Sequence, residues 1–331
     1  MEDPADAPPL ARSRRAPAAG PSHPVTPRIG LVLHPTRDCS AAVGQVAAWT
    51  TTHGVDLVAA EADVARLGSP AGVRGVPVAE LAGGCDGVIA LGGDGTLLGA
   101  MRLVSERPVP VLGVNLGTLG FLAEVEDDEL DAALTAMAED RARTEPRSAL
   151  EVTGPSGRLL AFNDVVLARV PGTGMVAATV GVAGRPYGHY RCDAVIVATP
   201  MGSTAYSYAA GGPVVSPGAD GIVLTPSAPM GGIARSVVLG PAEDVRLELT
   251  AGRPVLELDG LAGRTLAAGD VLTVRLRPDA GHLVRIQGSL AEVRSRVKLS
   301  LLDLPVLPGE LVELLPESAR RRLPGGASQP D

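Results

Sequence analysis

The stretch Gly92-Gly93-Asp94-Gly95-Thr96 follows the apolar run Gly87-Val88-Ile89-Ala90-Leu91 and precedes Leu97-Leu98-Gly99-Ala100-Met101-Arg102-Leu103-Val104, which has helical character. The order is strand, tight turn, helix. Glycines at 92, 93 and 95 let the backbone adopt positive φ and let a ligand approach the main chain with no Cβ in the way. Such a turn aims unsatisfied amides and the positive end of a helix dipole beyond the sheet, where phosphate is the natural guest. The Gly-Lys-Ser/Thr ending of a P-loop is absent, as is the spacing of a dinucleotide fingerprint. Asp94 therefore stands out. A carboxylate among phosphate-binding glycines repels phosphate unless it meets a cation or accepts a proton from an attacking hydroxyl; the alternative is that Asp94 caps the following helix.

Outward from this turn the same rhythm repeats. Arg28-Ile29-Gly30-Leu31-Val32-Leu33 is a short buried strand ending in His34-Pro35-Thr36-Arg37, residues 41–49 have helical spacing, and residues 55–59 restore a strand. On the other side, residues 109–114 form a buried strand that opens into the glycine-punctuated loop Asn115-Leu116-Gly117-Thr118-Leu119-Gly120. Residues 127–137 then carry acids in a first turn and helical spacing. Residues 28–145 thus read as an α/β nucleotide-binding domain, Rossmann-like, with an open and mostly parallel sheet. Loops at the strand ends share the edge where such sheets bind ligands, and Arg37 there reads as a phosphate ligand or as a solvated turn residue. His34 reads as an ordinary turn residue.

From residue 146 the pattern changes to short runs separated by turns (158–169, 176–182, 194–198, 245–249, 255–258, 271–276 and 283–286) with little helical periodicity. Residues 146–290 are therefore expected to form a mostly β domain, with 184–188 as a turn between strands. Residues 1–27, rich in Pro and Ala, read as a disordered tail, 291–305 as a C-terminal segment packing back on the first domain, and 306–331 as a loosely ordered tail.

Composition narrows the function. The chain has 331 residues and a formal net charge of -8, with Lys298 its only lysine. That balance argues against nucleic acid as a partner. Its three cysteines, Cys39, Cys85 and Cys192, stand far apart, as in a reduced protein without a disulfide framework or zinc site. No run has the apolar length of a membrane span or a signal peptide, so a cytoplasmic protein without membrane contact is expected.

Two further stretches carry chemistry. Asn163-Asp164 opens an otherwise apolar strand. Adjacent strand residues face opposite sides, so a bend there would let amide and carboxylate grip one ligand, Asn reading a base edge and Asp accepting from ribose hydroxyls. Gly202-Ser203-Thr204-Ala205-Tyr206 follows the buried run 195–198 and supplies hydroxyls and an aromatic ring able to stack on a flat ring. Asp193, Asp259-Gly260 and the loop containing Ala228 read, by themselves, as turns and connections.

Together, Gly92 to Thr96, Gly113-Val114-Asn115-Leu116-Gly117 with Leu119-Gly120-Phe121-Leu122, Asn163-Asp164, and Gly202 to Tyr206 resemble the NAD kinase family in order and spacing, over residues 28–300. The resemblance points to a bacterial, actinobacterial type of ATP- or polyphosphate-dependent enzyme that phosphorylates the adenosine ribose 2'-hydroxyl of NAD. It implies Asp94 as catalytic base; Gly95, Asn163, Asp164, Thr204, Ala205, Tyr206, Ala228 and Asp259 as NAD-binding residues; and Gly92, Gly93, Thr96 and Arg37 toward the donor phosphates. It also implies Mg2+ accompanying ATP with no resident metal ligands, a homodimer or homotetramer, and Asp193 serving a neighbouring subunit's site. Three positions depart from the family pattern by carrying apolar residues where polar ones are usual: Met201, Met230 and Leu261. A non-catalytic NAD(H)- or NADP-binding regulator is the alternative those departures favour. A lipid kinase of the diacylglycerol kinase type shares the glycine-Asp turn.

Overall fold

The computed structural model describes residues 27–117, 122–123, 125–139 and 141–286. The expectations for the tails, for the segment 291–305 and for loop positions 118–121 lie outside these residues.

In the first half, β1 (Arg28–Leu33), α1 (Ser40–His53), β2 (Asp56–Ala60), α2 (Glu61–Arg66), β3 (Arg74–Val76), α3 (Val78–Gly84), β4 (Gly87–Gly92), α4 (Asp94–Leu103), β5 (Pro110–Asn115), β6 (Val125–Glu126) and α5 (Leu130–Ala138) follow one another. The strands lie in the order β3-β2-β1-β4-β5, all parallel. Alternation along each strand explains how both faces are covered. Ile89 and Leu91 of β4 pack with Val43 and Val46 of α1 and Leu130 and Leu134 of α5, while Val88 and Ala90 pack with Leu81 of α3 and Leu97 and Met101 of α4. The order reverses between β1 and β4, which opens a crevice beyond their carboxyl ends. Arg37 and the 92–96 turn border it.

The second half contains β7 (Ala142–Gly154), β8 (Gly157–Ala161), β9 (Asp164–Ala168), β10 (Val176–Val182), β11 (Arg185–Cys192), β12 (Ala194–Ala198), a 3-10 turn (Met201–Thr204), α6 (Tyr206–Ala209), β13 (Ile222–Ser227), β14 (Gly231–Gly232), β15 (Val237–Leu239), β16 (Val245–Ala251), β17 (Val255–Leu258), β18 (Leu261–Thr265) and β19 (Val271–Ile286). Among the described residues these form two sheets. A six-stranded antiparallel sheet runs β15-β13-β12-β9-β17-β18. It packs against the other sheet over a core of Val152, Val180, Leu247 and Val274 facing Leu167, Val197, Leu224 and Leu256.

The halves are not separate sheets. β19 pairs with β16 and β7 of the second half and, in parallel, with β5 of the first through His282 and Leu283. One 13-stranded sheet therefore runs through the whole structure, and the boundary expected at 145 falls inside β7. The runs 271–276 and 283–286 are the two ends of β19, interrupted by a register shift between Arg277 and Gly281. Similarly, 184–188 is not a turn: Ala183 and Gly184, both with positive φ, reverse the chain and β11 begins at Arg185.

Candidate functional site

Helix α4 begins at Asp94, with Gly93 extended at its N-cap, and none of Gly92, Gly93 and Gly95 takes up the positive φ open to a glycine. Asp94 is thus not the cap. Its Oδ1 accepts the Leu122 amide at 3.0 Å, so the carboxylate sits between the glycine turn and the loop after β5. That loop is held by its own polar net. Asn115, 3% exposed, donates to both oxygens of Glu126 at 3.2 and 3.1 Å and accepts the Gly117 amide at 3.3 Å. Thr96 is buried in the first turn of α4. Across the crevice the exposed Arg37 guanidinium donates to the Leu116 carbonyl, and His34 Nδ1 accepts the Thr36 and Arg37 amides, the turn role expected of it. Arg37, Gly92, Gly93, Asp94, Gly95 and Thr96 are accordingly gathered at one sheet edge.

Asn163 and Asp164 lie where the chain leaves one sheet for the other. The run 158–169 is two strands: β8 pairs with β7, and β9 pairs with β12 and β17. The bend suggested by their adjacency is this crossing. The Asn163 Oδ1 is buried with no hydrogen-bond partner in the protein, an acceptor whose desolvation a ligand's donor would repay. Asp164 is 4% exposed, and burial, assisted by the charge of Asp259 and then Glu257, pushes its carboxyl up to about 7, while the amide of Tyr206 donating to it acts in the opposite sense.

The turn after β12 is built onto this corner. Thr199 donates to the Phe162 carbonyl at 2.7 Å and accepts the Gly202 amide at 2.9 Å, and its own amide donates to the Asn163 carbonyl at 2.9 Å. Gly202 presses so closely on the Asn163 backbone that a Cβ there would overlap the carbonyl. Ser203 accepts the Val215 amide at 2.9 Å. Thr204 and Ala205 are half-buried, and Tyr206 presents an exposed ring beside them.

Asp259 is in the left-handed region in a two-residue turn with Gly260, as a plain hairpin would place it. Its side chain, however, is fully buried. The carboxylate accepts the amides of Phe162, Asn163 and Asp164 at 3.1, 2.6 and 3.2 Å and pairs with Arg102 of α4. Arg102 was invisible as a site residue in the sequence; its only signal was a cation in the last turn of the helix that follows the glycine turn.

Two named residues are not brought to this corner. Asp193 and Ala228 sit at the far end of the six-stranded sheet, where Ala194 pairs with Ala168 and Ser227, whereas Ala198 pairs with Asp164. Four residues of strand, about 13 Å, separate the two ends. Asp193 is ion-paired to Arg169 at 2.7 Å and Ala228 is exposed with positive φ. Of the apolar departures, Met201 is buried in the core with Leu97, Met101 and Phe162, filling the space under the turn, whereas Met230 and Leu261 are exposed.

Residues 31–142 match the model of the ATP-NAD kinase N-terminal domain, and residues 162–286 that of the ATP-NAD kinase C-terminal domain. An NAD kinase of Gemmatimonas aurantiaca is 40% identical over 233 residues, covering 68% of this chain and 81% of the relative. NAD kinase 1 of Streptomyces avermitilis is 35% identical over 332 aligned positions, covering 87% and 92%. In fold, the chain resembles yeast NADH kinase complexed with NADH, with a TM-score of 0.74 and 23% identity over 85% of this chain and 89% of that one. It also resembles an NAD kinase from Archaeoglobus fulgidus in complex with ATP, with a TM-score of 0.64 and 24% identity over 83% and 98%. No helix among the described residues is long and apolar enough to cross a membrane. Two domain models in the right order over most of the chain, with relatives matched over most of their length, settle the assignment: the chain belongs to the ATP-NAD kinase family.

Proposed function

We propose that this protein transfers a phosphoryl group from ATP, or from polyphosphate, to the adenosine ribose 2'-hydroxyl of NAD, with Asp94 as general base. The observation that carries the assignment of Asp94 is its position: first residue of α4, its carboxylate accepting the Leu122 amide beside the switch-point crevice. A ribose hydroxyl is a poor nucleophile, and a carboxylate within hydrogen-bond reach takes its proton as the oxygen–phosphorus bond forms and the bond to the leaving phosphate breaks. The first amides of α4 face the charge that builds on the transferred group, and Arg37 borders the donor side.

At the other end of the acceptor, Asn163 offers its unpartnered oxygen to an exocyclic amine of the base, Asp164 accepts from ribose hydroxyls, and Tyr206 with Thr204 and Ala205 lines the pocket. Asp259 serves NAD by shaping this corner. Asp94, among the glycines of the phosphate turn, fits contact with a cation carried by the donor's phosphates. Mg2+ supplied in that way neutralises donor charge. Asp193 and Ala228 lie about 13 Å of strand from the Asn163 corner, Ala228 to meet a more distant part of NAD and Asp193, by the family resemblance, to serve the site of a neighbouring copy in a homodimer or homotetramer.

Purified protein with NAD, ATP and Mg2+ is expected to form NADP, and a parallel assay with polyphosphate fixes the donor. Asp94→Asn, which keeps the acceptor for the Leu122 amide, should lose roughly 100- to 10,000-fold in rate while still binding NAD. Full rate in that variant would remove Asp94 as the base, NAD-induced thermal stabilisation without turnover would make the protein a regulator, and turnover of a lipid but not NAD would overturn the substrate assignment.

A further inference from the structure

One ion pair joins the element that carries the chemistry to the corner that holds the nucleoside. Arg102 lies eight residues along α4 from Asp94, a rise of about 12 Å, and its guanidinium meets the carboxylate of Asp259. Asp259 is separated from Arg102 by 157 positions in sequence and has no solvent around its side chain. Its remaining partners are three consecutive amides, those of residues 162, 163 and 164. A carboxylate that gathers three successive amides fixes the backbone carrying them, because each bond restricts a neighbouring pair of dihedrals. The corner it fixes is the one from which the Asn163 oxygen and the Asp164 carboxyl project.

We infer that Arg102 is a positioning residue for nucleoside binding, acting through Asp259 to hold residues 162–164 in the geometry that receives the acceptor. The inference rests on the proposed NAD phosphorylation for its ligand but not for its geometry. Without the guanidinium, Asp259 is a buried anion with no counter-ion, beside Asp164 and Glu257, and burial without a partner is strongly unfavourable. The hairpin turn relieves this by swinging Asp259 toward water, and in doing so it loosens the hold on the three amides. Asn163 and Asp164 then lose their aim. Asp94, at the other end of a rigid helix and held by Leu122, keeps its own. Loss of the cation therefore separates acceptor recognition from the chemical step.

Three variants test this: Arg102→Met, which keeps the packed stem; Arg102→Lys, which keeps the charge without the planar fork; and Ala133→Gly in α5, which lowers stability without touching the clamp. Amide exchange of residues 162–164 and steady-state constants for both substrates are measured well below the melting temperature. Arg102→Met should raise exchange at these amides and the KM for NAD by about tenfold or more, with the KM for ATP and kcat within about threefold. Arg102→Lys should fall between it and the wild type, and Ala133→Gly should change neither quantity although it melts earlier. Should Arg102→Met fail to fold, the Arg102→Lys comparison carries the same reading. Unchanged exchange and KM for NAD in the Arg102 variants would overturn the inference, as would equal rises in KM for both substrates. Wild-type protein without NAD phosphorylation would defeat the functional reading, and the exchange measurement would still decide the clamp.

Discussion

Asp164 is a carboxyl that the fold holds at odds with its ordinary chemistry. It is almost wholly buried, and its carboxyl is pushed up to about 7 by burial first and by the Asp259 charge second. Folding therefore favours the protonated form. Between the unfolded value near 4 and about 7, the native state binds more protons than the unfolded chain, so stability contributed here is fully present below about 4 and is lost as pH rises toward 7. The loss amounts to up to about 4 kcal/mol. Asp164→Asn keeps an oxygen for the Tyr206 amide and removes the charge, so its melting temperature relative to wild type should rise between pH 5 and pH 8; a constant difference would show that Asp164 does not titrate in this range. If the residue also accepts from ribose hydroxyls, the same variant binds NAD more weakly at pH 8. The adjacency of Asn163 and Asp164 made the bend legible in sequence. Asp259 was legible as a turn and not as the residue that holds the bend, since the amides it accepts lie 95 to 97 positions away and nothing local marks its carboxylate for burial.

The turn from Thr199 to Tyr206 depends on contact more than on regular hydrogen bonding. Gly202 has no positive φ, so an alanine there meets no backbone strain; the obstacle is the Asn163 carbonyl in the space a Cβ would take. Gly202→Ala should therefore destabilise by about 1–3 kcal/mol through overpacking, measured by urea unfolding, and should weaken NAD binding because the displaced atom belongs to the nucleoside corner. Unchanged stability would show that the two segments separate at little cost. Thr199→Val removes both a donor to the Phe162 carbonyl and an acceptor for the Gly202 amide, with an expected cost of about 1–3 kcal/mol. At this scale the glycine-and-hydroxyl stretch was recognisable, but its partner was not. Residues 158–169 read as one apolar run because alternation is the same in two strands, and only the tertiary fold shows that the chain changes sheets between Ala161 and Asp164. Met201 illustrates the same limit: a departure in a polar motif proves to be a core side chain facing Leu97 and Met101.

Periodicity showed two halves, parallel α/β and then antiparallel β, because each leaves a local pattern. Their union left none. It is made by β7 and β19, whose register runs from Ala142 against Ile286 to Thr153 against Thr273, while β19 also lies against β5. Near the junction Gly281 stands where a Cβ would come within 2.7 Å of Met101 and 2.8 Å of Phe162, so α4, the nucleoside corner and β19 share one packed layer, to which Met201 and Leu283 also belong. Unfolding either half alone would strip β19 of one neighbour and expose that layer, leaving ladder groups and apolar surface without partners. The two halves should consequently unfold together. In calorimetry this appears as a single transition whose calorimetric and van't Hoff enthalpies agree, and NAD should shift the whole transition upward rather than one part of it. Two resolved transitions, only one of them moved by NAD, would mean that the shared strand does not couple the halves. The clamp between Arg102 and Asp259 would then have to hold the catalytic turn and the nucleoside corner together largely by itself.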